Sequence, residues 1–309
     1  MRTAAALIAA ITLAMTGSTL AAGKSVLFIG NSFLFGSGSA VRFYRAETVT
    51  DLNNEGIGGV PALFKSFTQQ AGLAYDVALE TRGGSGLDFH LAEKSRVIGS
   101  QAWDTVVMHG FSLLDAQKPR DPAKLVATSK QMADFLRAKN PRVELFLIST
   151  WARADHVYPE NGAWHGQTVE AMTRDVRAAY DQAGKQAAVT GVIPVGETWL
   201  RAMQAGVADP NPYDGIEAGK LNLWSHDSYH ASTHGYYLQA LVIFGTLTGL
   251  DPRSLGDGEC SASELGMSRA EVRALQKVAF DQIAAMVRTP APPATTRKPA
   301  PARRCVAVK

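Results

Sequence analysis

Five short stretches of the chain, residues 26–29, 75–80, 105–108, 143–148 and 189–195, are apolar runs or alternate with a period of two. The first, third and fourth are almost continuously apolar, the pattern of strands covered on both faces. The segments between them change period. Residues 61–71, 122–138 and 166–188 read as helices, and in the second Leu125, Met132, Phe135 and Leu136 recur at helical spacing. Two further helices are predicted at 233–247 and 268–287. The latter opens with Ser268 and, three residues on, Glu271, a capping-box start. Strands alternating with helices over some 230 residues predict an α/β domain around a mostly parallel, five-stranded sheet. Ligands of such sheets bind in the loops at the carboxyl ends of the strands, so those loops are where chemistry is expected.

The chain has 309 residues, 46% hydrophobic and 8% aromatic, enough for a large core and incompatible with general disorder. Its net charge of +3 is unevenly placed. Residues 1–22 hold one basic side chain, Arg2, and residues 289–309 hold five and no acid; residues 23–288 keep 25 basic and 28 acidic groups, a net of −3. A weakly acidic body is a poor general nucleic-acid binder, so no nucleic-acid partner is expected. Arg2, the apolar run 4–15 and small residues around Ala21 and Ala22 read as a signal peptide over 1–22, which implies export to the periplasm or beyond. The run is short for a membrane span, and no later stretch reaches 18 apolar residues, so the mature chain is expected to lack a transmembrane segment. Residues 289–309 form a basic tail rich in Pro, Ala and Thr that is too poor in apolar bulk to pack. A loose association of that tail with an anionic envelope stands beside a solvated extension with no partner. Cys260 and Cys305, the two cysteines, are candidates to pair in an oxidising compartment.

Two places carry candidate chemistry. Gly30-Asn31-Ser32-Phe33 follows the first strand, which puts Ser32 where a nucleophile belongs in this architecture; capping of a helix is the competing role for Asn31 and Ser32. Near the other end, three of the seven histidines fall in residues 225–235, with Asp227 three residues before His230. An Asp at that spacing can hold an imidazole in one tautomer and stabilise it once protonated. Metal ligation and plain helix capping by Asp227 or Ser232 are the other roles for the same residues. His234 is the rival base, and His226 flanks the pair. Gly23-Lys24-Ser25 precedes its strand and lacks the upstream glycine of a phosphate-binding loop. No G-x-S-x-G, H-E-x-x-H or C-x-x-C is present.

Gly30-Asn31-Ser32-Phe33, together with Asp227-x-x-His230-x-Ser232-x-x-Gly235-x-Tyr237-Leu238, resembles the opening and closing blocks of the SGNH/GDSL hydrolases, over about residues 24–250. The resemblance implies a flavodoxin-like three-layer α/β/α sandwich, with Ser32 as nucleophile, His230 as base and Asp227 as its orienter. It also implies an oxyanion hole built from the Ser32 N–H, a glycine of Arg82-Gly83-Gly84-Ser85-Gly86 (Gly84, with Gly83 and Gly86 as alternatives) and a third donor. In the family that donor is the asparagine of a G-x-N-D block. Here His109-Gly110-Phe111-Ser112 follows the third strand, so Ser112 or His109 stands in its place. Asn31 and Phe33 replace the Asp and Leu usual in the first block.

The segment 151–166, with Trp151, Tyr158, Trp164 and His165, reads either as a wall or lid for the substrate or as a loop anchored by half-buried aromatics, and Trp151 and His109 are the substrate-binding candidates. The function implied is an exported serine esterase that removes small acyl groups from a small-molecule or carbohydrate ester, with no cofactor and no metal. Acyl transfer by the same triad, and a non-catalytic sugar or polymer binder on the same fold, are the alternatives.

Overall fold

The computed structural model describes residues 23–287. Residues 1–22, where a signal peptide is expected, the tail over 289–309 and Cys305 lie outside the described residues. Six parallel strands are laid down in chain order: β1 (Lys24–Gly30), β2 (Thr50–Asp51), β3 (Tyr75–Thr81), β4 (Thr105–Met108), β5 (Glu144–Ile148) and β6 (Gly191–Ile193). They pair in the order β2-β3-β1-β4-β5-β6. The order reverses at β1, the switch point at which open α/β sheets bind ligands. The expected count of five is corrected to six by β2. That strand has two residues, one of them exposed, and so displays no period for a sequence pattern to show.

Among the described residues eleven α-helices accompany the sheet. In chain order they are α1 (Ser32–Phe35), α2 (Gly59–Gln70), α3 (Leu87–Glu93), α4 (Ser95–Ile98), α5 (Ala123–Lys139), α6 (Ala154–Val157), α7 (Val169–Ala187), α8 (Val195–Gln204), α9 (Thr233–Thr248), α10 (Cys260–Glu264) and α11 (Arg269–Val287). Helices α2, α8, α9 and α11 pack together in one layer, and α3, α5 and α7 in the other. The continuously apolar runs of β1, β4 and β5 are buried because both faces of the sheet are covered. The capping box of α11 forms as its sequence predicts: the Ser268 N–H donates to the Glu271 carboxylate and the Glu271 N–H to Ser268 Oγ. Helix α9 is buried almost all round, so it runs through the structure instead of lying on it. Among the described residues no helix is long and apolar enough to cross a membrane, and no cysteine is free.

In register, Gly30 lies beside Thr81 and Ile29 beside Met108, so β1, β3 and β4 end level. The loops that follow them therefore meet over one edge. Gly30 is demanded by crowding there: a Cβ would sit 2.4 Å from His109 Nε2.

Candidate active site

The first loop turns straight from β1 into α1. Asn31 is extended, at φ −128° and ψ −152°, and its Oδ1 accepts the Phe33 N–H at 3.1 Å, so it caps the short helix that Ser32 begins. Its Nδ2 donates to Ser85 O at 2.9 Å and to Gly110 O at 3.3 Å. One buried amide thus ties together the loops after β1, β3 and β4. An aspartate has no N–H to give those two carbonyls, and this explains asparagine in the first block.

The closing block is held by its own carboxylate. Asp227 Oδ2 accepts His230 Nδ1 at 2.6 Å, while Oδ1 takes Ser225 Oγ at 2.7 Å and the backbone N–H groups of Tyr229 and His230 at 3.0 and 2.8 Å. Partial burial pushes the Asp227 carboxyl up, but these hydrogen bonds outweigh it and hold the group well below the usual carboxylate range. His230 is thereby oriented through Nδ1, and its Nε2 makes no hydrogen bond among the described residues. Ser232 is the N-cap of α9, so capping occurs beside the Asp–His pair and not in place of it. His234 turns away to within 3.5 Å of Glu271, and His226 is exposed. Among the described residues no cluster suited to a metal ion is present.

The two blocks meet. The Phe33 ring lies 6.0 Å from the His230 ring and 5.4 Å from that of Tyr229. From α9 the Tyr236 hydroxyl approaches Ser32 O at 3.0 Å and Ser37 O at 3.1 Å, and Ser39 Oγ lies 3.0 Å from Thr233 Oγ1. The Ser32 hydroxyl itself makes no hydrogen bond among the described residues; such catalytic bonds often close only around substrate.

Of the glycines after β3, Gly86 is the N-cap of α3 and is crowded by Asp88. Gly83 and Gly84 are exposed, and Gly84 takes φ +72°, which favours glycine. Beside them opens a cavity of about 250 Å³, lined by Gly84, Phe89, Phe111, Gln117 and Lys124 among others.

Two substrate-binding expectations are corrected. Trp151 is fully buried, stacked on Phe33 at 3.9 Å and on Trp199 at 4.6 Å. Its indole N–H donates to Tyr229 O at 3.1 Å, so it supports the His230 loop from behind and presents no face to a ligand. Of the other aromatics of the segment, Trp164 is buried and its indole N–H donates to Asp175, Tyr158 is half-buried with its hydroxyl donating to Pro210 O, and His165 is exposed. His109 is likewise buried, with Nδ1 donating to Gly110 O at 2.9 Å and Nε2 unpartnered.

Burial lowers the His109 pKa from 6.5 to about 4, with a further push from His90 partly offset by the Gly110 carbonyl. The fold therefore favours the neutral ring. The associated stability is complete above pH 6.5 and lost as pH falls toward 4, on the order of 3 kcal/mol in total. Melting temperature should drop across that window, and His109→Gln, which keeps an N–H for Gly110, should flatten the profile.

Arg153, which the sequence did not single out, joins the remaining pieces. It is buried after β5, pairs with both oxygens of Asp155, and lies 3.6 Å over the Tyr229 ring, which in turn packs on His230 at 3.9 Å. Its Nη1 donates to Ser112 Oγ at 3.3 Å. The only signal in the sequence is a lone cation among small and apolar residues just past a strand end.

No protein-family model matches the chain, and no curated protein matches it by sequence. Solved structures do. A DUF4886 family protein from Bacteroides uniformis superposes with a TM-score of 0.59 at 16% identity, covering 84% of this chain and 94% of its own. A protein from Parabacteroides merdae described as a GDSL-like lipase gives 0.53 at 14%, over 74% and 97%. The acetylxylan esterase Axe2 from Geobacillus stearothermophilus gives 0.51 at 16%, over 75% and 96%. At these identities the likeness is one of fold, and the shared fold is a three-layer α/β/α sandwich around a parallel sheet.

Proposed function

We propose that the chain is an exported serine esterase that hydrolyses small acyl esters, with acylated carbohydrate as its substrate class. The observation that carries the reading is the Asp227–His230 pair, bonded at 2.6 Å beside the turn that bears Ser32. In the first step Ser32 Oγ attacks the ester carbonyl and its proton passes to His230 Nε2. Asp227 keeps the other ring proton on Nδ1 and stabilises the imidazolium. The negative charge on the former carbonyl oxygen is received by the N–H groups of Ser32 and Gly84 and by the Ser112 hydroxyl. His230 then returns the proton to the leaving alcohol, and water repeats the sequence on the acyl-serine.

The third donor follows from the Arg153 contact. Ser112 Oγ accepts from the guanidinium, so its own hydrogen is free to point at the oxyanion. A charged donor behind a hydroxyl makes that hydroxyl a stronger donor in turn, which substitutes for the absent amide. Ser112→Ala should lower kcat by about two orders of magnitude with KM little changed, measured on a p-nitrophenyl ester.

The carbohydrate assignment is supported by the cavity beside Gly84. Phe89 and Phe111 line it together with the polar Gln117 and Lys124, a combination suited to a sugar. A structural neighbour named as an acetylxylan esterase supports the same class. Labelling with a fluorophosphonate, followed by peptide mapping, tests the reading. Modification of Ser32 that is absent in Ser32→Ala is expected. A folded chain that takes no label, or takes it elsewhere, overturns the reading in favour of a binder on the same fold.

A further inference from the structure

A second serine, histidine and carboxylate stand in hydrogen-bond series behind the glycine loop. Glu80 is the penultimate residue of β3, His90 lies in α3, and Ser85 is in the loop between them; all three are buried. His90 Nδ1 is bonded to the Glu80 carboxylate, and His90 Nε2 lies 3.1 Å from Ser85 Oγ. The other Glu80 oxygen accepts Asn53 Nδ2 at 3.2 Å, and Asn53 Oδ1 accepts Lys94 Nζ at 2.8 Å.

The direction of the series follows from proton counting. Ser85 Oγ donates to Arg82 O at 2.7 Å, and a carbonyl only accepts. A hydroxyl has one hydrogen, so in the contact with His90 it is Nε2–H that donates to Ser85. One further proton lies between Nδ1 and the carboxylate. Glu80 and His90 together are then neutral overall, the condition under which such a pair tolerates full burial. Ser85 is not a second nucleophile, because the nitrogen facing it carries a proton and cannot accept one.

The series ends on a turn. Arg82 O takes both the Ser85 hydroxyl and, at 3.4 Å, the Ser85 N–H, which closes a four-residue turn with Gly83 and Gly84 in the middle. The φ of +72° at Gly84 matches the third position of a type II turn. Asn31 Nδ2 donates to Ser85 O, which ties the same turn to the one that carries Ser32. We propose that Glu80, His90 and Ser85 are a positioning relay that clamps the Arg82–Ser85 turn and so aims the Gly84 N–H at the oxyanion. The role in catalysis rests on the esterase reading above; the clamping of the turn does not.

Two variants separate the relay from a merely structural contact. Ser85→Ala removes its last link. Glu80→Gln preserves it: the Gln oxygen accepts from Asn53, its NH₂ donates to Nδ1, and neutral His90 still donates from Nε2 to Ser85. Ser85→Ala should lower kcat 10- to 100-fold with KM within twofold, and Glu80→Gln should stay within threefold of wild type. The rate at which a fluorophosphonate labels Ser32 should follow the same order. Amide hydrogen exchange over residues 82–86 should be at least tenfold faster in Ser85→Ala and unchanged in Glu80→Gln. Unchanged exchange in Ser85→Ala, or a Glu80→Gln loss as large as that of Ser85→Ala, overturns the relay. Faster exchange with kcat within twofold overturns its role in catalysis. A wild-type chain that neither labels nor hydrolyses overturns the esterase reading, while exchange still decides whether the relay clamps the turn.

Discussion

Ser32→Ala should lower kcat for a short-chain p-nitrophenyl ester by up to about six orders of magnitude, with no change of fold. On the proposed mechanism the triad acts as a unit, so that removing the nucleophile costs about as much as removing all three members. What survives is the contribution of the oxyanion donors and of binding. The variant is a clean test because nothing else depends on the hydroxyl, which makes no hydrogen bond among the described residues. The Ser32 carbonyl, which accepts from Tyr236 and from the Gly36 N–H, is untouched by the substitution. Melting temperature should therefore stay within a few degrees of wild type. Activity retained within tenfold would remove Ser32 from the mechanism.

Asp227→Asn should lower kcat by about four orders of magnitude through the tautomer of His230. The carboxylate uses both oxygens: Oδ1 takes three donors from Ser225, Tyr229 and His230, and Oδ2 takes His230 Nδ1–H. An asparagine has one acceptor oxygen, and the three donors on the Oδ1 side claim it. Its NH₂ then faces Nδ1, which must become an acceptor, and the ring proton moves to Nε2, the nitrogen that has to receive the proton of Ser32. The loss should appear in kcat, with KM within a few-fold, because the loop geometry survives. A variant retaining a tenth of wild-type turnover would show that Asp227 only caps its turn.

Both experiments were specifiable from sequence because both blocks are local. A carboxylate three residues before a histidine places its partner within one turn, and a serine after an apolar run sits at a strand end whatever the rest of the chain does. The strands were legible for a similar reason: runs such as 26–29 and 106–108 are apolar throughout because both faces of the sheet are covered. Helix α8, by contrast, has no separate start in the sequence, since it begins at Val195, the last residue of the apolar run 189–195 that reads as strand.

The residues that sequence misplaced owe their roles to distant neighbours. Trp151 follows a strand end like any wall residue, and only the stack between Phe33 and Trp199, which lie far off in the chain, makes it a buried support for the His230 loop. His109 was a reasonable oxyanion candidate until the close approach of β1 placed Gly30 against its ring and sealed it from solvent. Arg153 had no motif to announce it; its contacts with Ser112 and Tyr229 come from three separate loops.

The alternation of apolar runs and helical segments by itself determined an α/β sheet with its chemistry at one edge, because hydrophobic period is a property of neighbours along the chain. It also determined the Asp227–His230 pair, whose geometry a single turn encloses. Which hydroxyl meets Arg153, which tryptophan faces inward, and which buried histidine meets Ser85 were decided only when β1, β3, β4 and β5 were brought side by side. Those roles depend on who stands opposite, and a hydrogen bond across a sheet edge leaves no period in the sequence.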